Sequence, residues 1–395
     1  MESYSFLLFL AIILISTKVL GLFSRRIHMP AVVGALLAGV ILGPSGLGMI
    51  TLDGQTGVFL EEMAELGVIL LMFNAGLETD ISELKKNGLA SFVTALVGVI
   101  VPLIGGFAGY ALFFHADLSD YTELLKSIFV GVVLTATSVS ITVETLREMG
   151  KLKGKVGTTI LGAAVIDDIM GIIVLTIVTS LKDTSVSLGS VLLKIVVYFI
   201  LIFALTVLLM KCRRFVEMQD EKRRVVILSV AFCLILAYVS EEFFGIADIT
   251  GAYFAGLMLC SLKVGPYVAR RCEIPSYLIF SPVFFASVGL KVTLGGMNAS
   301  IWIFSVVLLV IAILTKVVGC GLGAKMCGCN AKEALQVGIG MVSRGEVALI
   351  VAQKGYACGM LDDVLFAPIV LVVIITTLLT PILLKVVMKD GTQTA

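Results

Sequence analysis

The sequence has few charged residues. Only 14% of its 395 residues are Asp, Glu, Lys or Arg, while 59% are hydrophobic. Soluble globular domains carry about 25% charged and about 45–50% apolar residues, so this composition excludes an ordinary soluble domain. The formal net charge is +1, which gives no basic surface, and we expect no nucleic-acid partner.

Spacings typical of metal and disulfide sites are also missing. The eight cysteines form no CxxC pair and no zinc pattern. Most lie in apolar segments, where cysteine packs as a small hydrophobic residue. We therefore expect neither a cofactor nor a resident metal.

Long apolar runs dominate the sequence instead. Each is about 20 residues long, enough to cross a bilayer as a helix, and the short alternating segments of an outer-membrane barrel are absent. The runs predict an all-α polytopic membrane protein with about thirteen transmembrane helices. The predicted spans are 5–22, 27–43, 58–78, 88–114, 124–146, 155–180, 187–211, 223–243, 247–262, 276–294, 299–325, 332–355 and 362–388.

The basic residues predict the orientation of these spans. Of 29 Lys and Arg residues, 21 follow odd-numbered spans and four follow even-numbered spans. Positively charged loops stay in the cytoplasm, so we expect a multi-pass plasma (inner) membrane protein with its N-terminus outside and its C-terminus cytoplasmic. Lys18 and Lys194 lie near span ends and can reach the interface, whereas Lys316 and Arg344 cannot do so easily.

The chain also contains a weak internal repeat. GALLAG at 34–39 matches GAYFAG at 251–256, and FNAGLETDI at 73–81 resembles ASVGLKVTL at 286–294. Spans 1–6 and 8–13 then form two halves joined by span 7. Because one odd helix connects them, the halves have opposite orientations, as in the inverted repeats of many secondary transporters.

Two adjacent carboxylates, Asp167 and Asp168, lie at the centre of span 6 in LGAAVIDDIMGIIVL. Ionisable residues at this depth are rare and usually mark ion or proton pathways. Neighbours on a helix point about 100° apart, so the two should have different roles, and their protons should leave in two coupled steps. The alternative is a buried ion pair that only locks helices together. Lys316 in span 11 either pairs with one aspartate or reaches the cytoplasmic interface.

Spans 5 and 12, which correspond in the two halves, are interrupted by polar residues or glycine. These interruptions predict broken helices and a midplane site. Unwound carbonyls and hydroxyls could supply cation ligands, and charged side chains could balance the helix ends, unless they form only a local structural pair. With the aspartates and Lys316, the deep charges sum to −1, which suits a cation. The supporting candidates are Thr135, Thr137, Ser138, Arg344 and Glu346.

Six motifs in order along the chain resemble the monovalent cation:proton antiporter-2 family. They are FNAGLETD, TATSVSITVETLREMG, VIDDIMG, FFASVGLKVTL, LTKVVGCGLGAK and GMVSRGEVALI. The resemblance implies the sodium/proton antiporter fold with two crossed broken helices, a homodimer, and an elevator motion of a core. It implies a dimerisation domain (1–86 and 223–297), a core or transport domain (87–186 and 298–395) and a linker helix (187–222).

The same resemblance implies roles for individual residues. Asp168 would bind the cation with Thr137 nearby, and Asp167 would form an ion pair with Lys316 that breaks when the cation binds. Cation and protons would compete for these carboxylates, with Na+ at Asp168 and Asp167. The Asp-Asp pair with a lysine resembles electrogenic sodium/proton exchangers, so we expect secondary active exchange of Na+ for H+, with K+ or Li+ as alternative cations.

Three alternatives stay open at this point. A potassium/proton antiporter of the same family typically carries Gln-Asp and an attached nucleotide-binding domain, neither of which is seen in this sequence. A cation channel would need a selectivity filter, and no filter-like repeat occurs. An intramembrane aspartyl protease uses aspartates on separate helices as acid and base, and no GxGD motif exists. We therefore expect a transporter in ion homeostasis and pH regulation, and no enzyme.

Overall fold

The fold is helical throughout the part of the chain that the structure describes. The computed structural model describes residues 4–388 apart from 28, 53, 183–187, 219–221, 292–298, 358 and 362. These residues form α-helices and two π-helical turns but no β-strand. Nine of the described helical segments are long and apolar enough to cross a membrane, and the all-α polytopic prediction is confirmed.

The helices alternate with short connections. The first half contains α1 (Ser5–Arg26), α2 (Ala31–Leu42), α3 (Gly54–Glu78), α4 (Ile81–Phe113), α5 (Tyr121–Thr135), α6 (Val139–Glu148) and α7 (Lys155–Lys182). The middle contains α8 (Leu188–Lys211) and the short α9 (Arg213–Glu217). The second half contains α10 (Arg223–Val239), α11 (Asp248–Cys260), α12 (Gly265–Pro275), α13 (Ser281–Leu290), α14 (Ala299–Met326), α15 (Ala331–Gly340), α16 (Glu346–Ala357) and α17 (Asp363–Val387). The π-helical turns, Ser240–Phe244 and Ser276–Phe280, follow α10 and α12.

Helix coincides with every predicted span, but the bounds differ. The prediction that span 10 begins at 276 was wrong, because the chain is already helical from Gly265. Pro266 lies in the first helical turn, where its fixed φ is favourable. Because α12 contains charged residues, a search for apolar runs does not find this helix. Predicted span residues 28, 187, 292–294 and 362 lie outside the described residues.

The helices pack in two groups. In the first, which we call the scaffold group, α1–α3 pack with α10–α13; in the second, the core group, α4–α7 pack with α14–α17. α8 contacts α7 of the core group and α11 of the scaffold group. The two groups meet where α2 contacts α6 and α17 and where α3 contacts α6. The dimerisation and transport roles of these groups stay predictions.

Glycine contacts within the scaffold group follow the inverted repeat. A Cβ on Gly39 of α2 would lie 2.9 Å from the Cα of Gly289 on α13. A Cβ on Gly76 of α3 would lie 3.0 Å from the Cα of Gly256 on α11. Each pair joins one repeat motif of the first half to one of the second half. The same close crossing therefore occurs twice, with the roles of the two halves exchanged.

Candidate cation site

Two broken helices meet at the centre of the core group. The chain is extended between Thr135, which ends α5, and Val139, which begins α6. It is again irregular at 341–345, between α15 and α16. Serine and threonine side chains offer the backbone local alternatives to helical hydrogen bonds. At Gly345 the lack of a side chain is required, because a Cβ would lie 2.6 Å from the Ser138 hydroxyl. We call segments 136–138 and 341–345 together the crossing.

Each broken helix forms hydrogen bonds with backbone groups of the other that have no helical partner. The Ser138 amide donates to the Ser343 carbonyl at 2.7 Å, and the Thr142 hydroxyl donates to the Gly340 carbonyl at 2.8 Å. The buried Arg344 guanidinium donates to the carbonyl of Leu134, in the last turn of α5, at 2.9 Å. A helix end leaves its last carbonyls without helical partners, and irregular backbone is stable inside a membrane only where other groups bind it. Arg344 therefore neutralises the negative end of α5.

Asp167 lies in a buried ion pair. The Lys316 Nζ is 3.1 Å from Oδ1 and 3.3 Å from Oδ2 of Asp167, and these residues are 0% and 2% exposed. Lys316 therefore points into the core group, away from the cytoplasmic interface that was the alternative. The Thr137 hydroxyl also lies beside the Asp167 carboxylate. Gly98 of α4 makes room here, since a Cβ there would collide with the Cys320 side chain, one turn from Lys316 on α14.

Asp168 occupies the next position of α7 and is 6% exposed. Because neighbouring helix positions differ by about 100°, its carboxylate points in a different direction from that of Asp167. Burying a carboxylate among apolar residues costs several kcal/mol. α7 thus holds two buried acids side by side, one of which has a lysine as its partner.

Other polar atoms at the crossing lack hydrogen-bond partners. Among the described residues, the buried Ser343 Oγ has no hydrogen-bond partner, and the buried Thr137 hydroxyl makes no hydrogen bond of good geometry with the Asp167 carboxylate beside it. The Arg344 Nε also lacks a partner, but as an N–H donor on a cationic group it cannot be a ligand for a cation. A buried polar group without a partner costs about 1–3 kcal/mol and typically indicates a water or an ion. Hydroxyl and carbonyl oxygens are suitable ligands for hard cations. The residues of the crossing therefore fit a small cation with one or two carboxylates.

Within the described ranges, no group of three or more His, Cys, Asp or Glu side chains could hold a metal ion. A cation at the crossing would depend on neutral oxygens as much as on carboxylates. Such a site suits an ion that binds and leaves again.

The remaining predicted residues differ in their surroundings. The Thr135 hydroxyl donates to the Val132 carbonyl of its own helix at 2.7 Å. The Ser138 hydroxyl lies 3.2 Å from that of Ser140. Glu346 begins α16, but its side chain lies outside the described part of the structure. The cation-binding roles of all the predicted residues stay predictions.

Sequence reasoning missed two features of this site. Ser343 was recognised only as part of a polar interruption, although its carbonyl and hydroxyl both lie in the crossing. Gly98 carried no signal, because a glycine in a long apolar run is common in membrane helices. Its close approach to α14 depends on tertiary packing alone.

A family model described as "Sodium/hydrogen exchanger, transmembrane" matches residues 9–390. The chain belongs to this family. It is 41% identical over 384 residues to the Na(+)/H(+)-K(+) antiporter GerN of Bacillus cereus, covering 97% of this chain and 96% of the relative. It is 38% identical over 381 residues to the Na(+)/H(+) antiporter of Enterococcus hirae, covering 95% of this chain and 96% of the relative.

Solved structures of exchangers share the fold. The sodium proton antiporter MjNhaP1 from Methanocaldococcus jannaschii superimposes with a TM-score of 0.71 at 18% sequence identity, covering 98% of this exchanger and 100% of that chain. At this identity the similarity establishes the fold alone. The predicted sodium/proton antiporter fold is confirmed.

Proposed function

We propose that this exchanger is a secondary active sodium/proton antiporter of the plasma (inner) membrane. The observation that carries the proposal is the buried Asp167–Lys316 pair on α7 and α14, next to Asp168 and to the crossing of two broken helices. Neither the fold nor the family description alone gives an ion-binding site in this chain. The pair and the neighbouring buried acid together give one.

The charges of these three residues explain how one site takes a cation or protons. With both aspartates ionised and the lysine protonated, their charges sum to −1. One bound Na+ brings the sum to zero, and so does one proton on Asp168, so that the two compete. Protonation of Asp167 would release Lys316 from its partner. We therefore propose that Asp167 also takes up a proton during the cycle, so that more than one proton is carried per Na+ and exchange is electrogenic.

Two helix groups provide the moving parts of the proposed mechanism. The core group carries the site, and the scaffold group meets it along α2 and α3. In the proposal, the core group slides along the scaffold group like an elevator, and the scaffold groups of two copies pair in a homodimer. The N-terminus lies outside and the C-terminus lies in the cytoplasm.

Potassium is the second candidate cation. The relative GerN, which is 41% identical, is named a Na(+)/H(+)-K(+) antiporter. The hydroxyls and carbonyls of the crossing do not by themselves select an ion by charge, because Na+, K+ and Li+ all carry +1. Potassium exchange is therefore the alternative within the same mechanism.

The experiment uses purified protein in liposomes that contain a pH-sensitive dye. We expect a sodium gradient to drive proton movement, with Li+ as a partial substitute and K+ weaker. A response to K+ that equals or exceeds the response to Na+ would replace the first candidate by the second. If none of the three cations drives proton movement, antiport is contradicted.

A further inference from the structure

Three buried threonines lie close together on α17, and one of them binds outside its own helix. The Thr376 hydroxyl donates to the Val372 carbonyl at 2.8 Å, and the Thr380 hydroxyl donates to the Thr376 carbonyl at 2.7 Å. Both bonds stay within α17, as is usual for a threonine that binds the preceding helical turn. The Thr377 hydroxyl instead donates to the Arg344 carbonyl of the crossing.

The packing of α17 explains why Thr377 reaches the crossing. α17 contacts α6, which follows the first break, and also α15 and α16, which lie on either side of the second break. Pro381 lies within α17, four residues after Thr377. Proline has no N–H and cannot donate the helical hydrogen bond to the carbonyl four residues before it. α17 therefore lacks one of its own backbone hydrogen bonds at the residue that binds the crossing.

The hydrogen bond from Thr377 orients the peptide group that joins Arg344 to Gly345. Because a peptide group is planar, one bond to its carbonyl also sets the direction of the Gly345 amide. The first broken helix holds the same segment from the other side. The Ser343 carbonyl accepts a hydrogen bond from the Ser138 amide at 2.7 Å, and Gly345 packs so closely on the Ser138 side chain that a Cβ would not fit. Segment 341–345 is therefore fixed between the first break and α17.

The segment that Thr377 holds borders the ion pair of the candidate site. Thr137, the neighbour of Ser138 in the first break, has its hydroxyl beside the Asp167 carboxylate. The Arg344 guanidinium also lies close enough to Asp167 to interact with it electrostatically. The adjacent Ser343 hydroxyl is buried and has no partner among the described residues. A rotation of the peptide group after Arg344 would therefore move a free oxygen ligand relative to the carboxylates of α7.

We propose that Thr377 is a positioning residue of the cation site, which acts from α17 through the Arg344 carbonyl. It does not touch the cation. It holds the Ser343 hydroxyl and the carbonyls of segment 341–345 in the arrangement that binds the cation. This inference rests on the proposed function. Removal of a group that orients the ligands of a bound ion typically lowers the affinity for that ion about 10–100-fold.

The test measures sodium-driven proton movement by the full-length wild type and by Thr377→Val in liposomes with a pH-sensitive dye. Valine keeps the branched shape of threonine and removes only the hydroxyl. We expect the KM for Na+ to rise about tenfold, while the maximal rate stays within about twofold. Thr377→Ser, which keeps the hydroxyl, should recover most of the lost affinity. Thr377→Ala, which also lacks the hydroxyl, should show the same rise in KM and replaces the valine variant if thermal melting shows that the latter is not folded.

Thr376→Val provides the matched control. Thr376 is the preceding residue of α17 and is equally buried, but its hydroxyl binds only carbonyls of its own helix. We expect its KM for Na+ to equal that of the wild type. An unchanged KM in the Thr377 variants that lack the hydroxyl, or an equal rise in Thr376→Val, would overturn this inference and leave the proposed function intact. A wild-type protein that exchanges no cation for protons would overturn both.

Discussion

At the scale of single residues, the two adjacent aspartates differ in a way that their sequence neighbours do not reveal. Both lie in one apolar run of α7, but only the position of Lys316 on α14 decides that Asp167 forms the ion pair. The sequence predicted two deep carboxylates with different roles from the 100° rotation between neighbours. It could not derive the pairing from spacing, because 149 residues separate the partners. That pairing came from the family resemblance.

The ion pair yields a prediction about stability. Lys316→Ala should lower the free energy of unfolding by about 3–5 kcal/mol, because it leaves Asp167 as an uncompensated buried charge. Thermal melting of the purified variant in detergent measures this. The double variant Asp167→Asn with Lys316→Met removes both charges and should recover most of the loss. Equal melting of Lys316→Ala and the wild type would contradict a structural contribution of the pair.

At the scale of helices, breaks within helices and close packing between helices determine the fold. The polar residues of spans 5 and 12 allowed both breaks to be predicted, since Ser, Thr and Gly weaken helical backbone pairing. The hydrogen bonds between the two broken segments, such as that from the Ser138 amide to the Ser343 carbonyl, could not be predicted. It depends on two segments that lie 205 positions apart in the chain and meet only after folding.

Glycine contacts give the prediction at this scale. Gly256→Ala should destabilise the protein by about 1–3 kcal/mol. The added Cβ would lie 2.8 Å from the Leu77 amide nitrogen, and the atoms nearest to it all belong to the backbone, which cannot move aside as a flexible side chain can. Gly88→Ala is the control, since a Cβ at Gly88 meets nothing within 4 Å, and it should be neutral or stabilise by up to about 1 kcal/mol. Similar melting temperatures for the two variants would refute the close packing of α3 on α11.

At the scale of the whole molecule, the C-terminal end of α6 connects the two helix groups. Arg147 lies 2.9 Å from Glu78 of α3 and 3.3 Å from Glu273 of α12. Glu148 accepts a hydrogen bond from the Ala31 amide of α2 at 2.7 Å. These contacts hold the core group against the scaffold group in the present conformation. Any sliding of the core group must break them.

Arg147→Gln should therefore release this end of α6. We expect faster amide hydrogen exchange at 144–150 in the variant, as measured by mass spectrometry of protein in detergent. Arg213→Gln is the control, because Arg213 pairs with Glu217 on the same short helix at 2.7 Å. This ion pair does not connect the core group to the scaffold group. Identical exchange in wild type and Arg147→Gln would mean that these ion pairs do not hold the groups together.

The helical membrane architecture, the deep charges and the two interruptions could be predicted from sequence, because each depends on local composition. The contacts around Arg147 could not, since α12 is too charged to be recognised as part of a span and Glu273 lies on it.

The most direct test of the central claim is the current that follows a sodium concentration jump on a solid-supported membrane carrying liposomes with the purified protein. We predict a pH-dependent sodium current in the wild type and none in Asp168→Asn. Thermal melting of both proteins should show that each is folded. Asp117→Asn, the same change at an exposed loop position, should give the wild-type current. A normal sodium current in Asp168→Asn would contradict a cation site at Asp168.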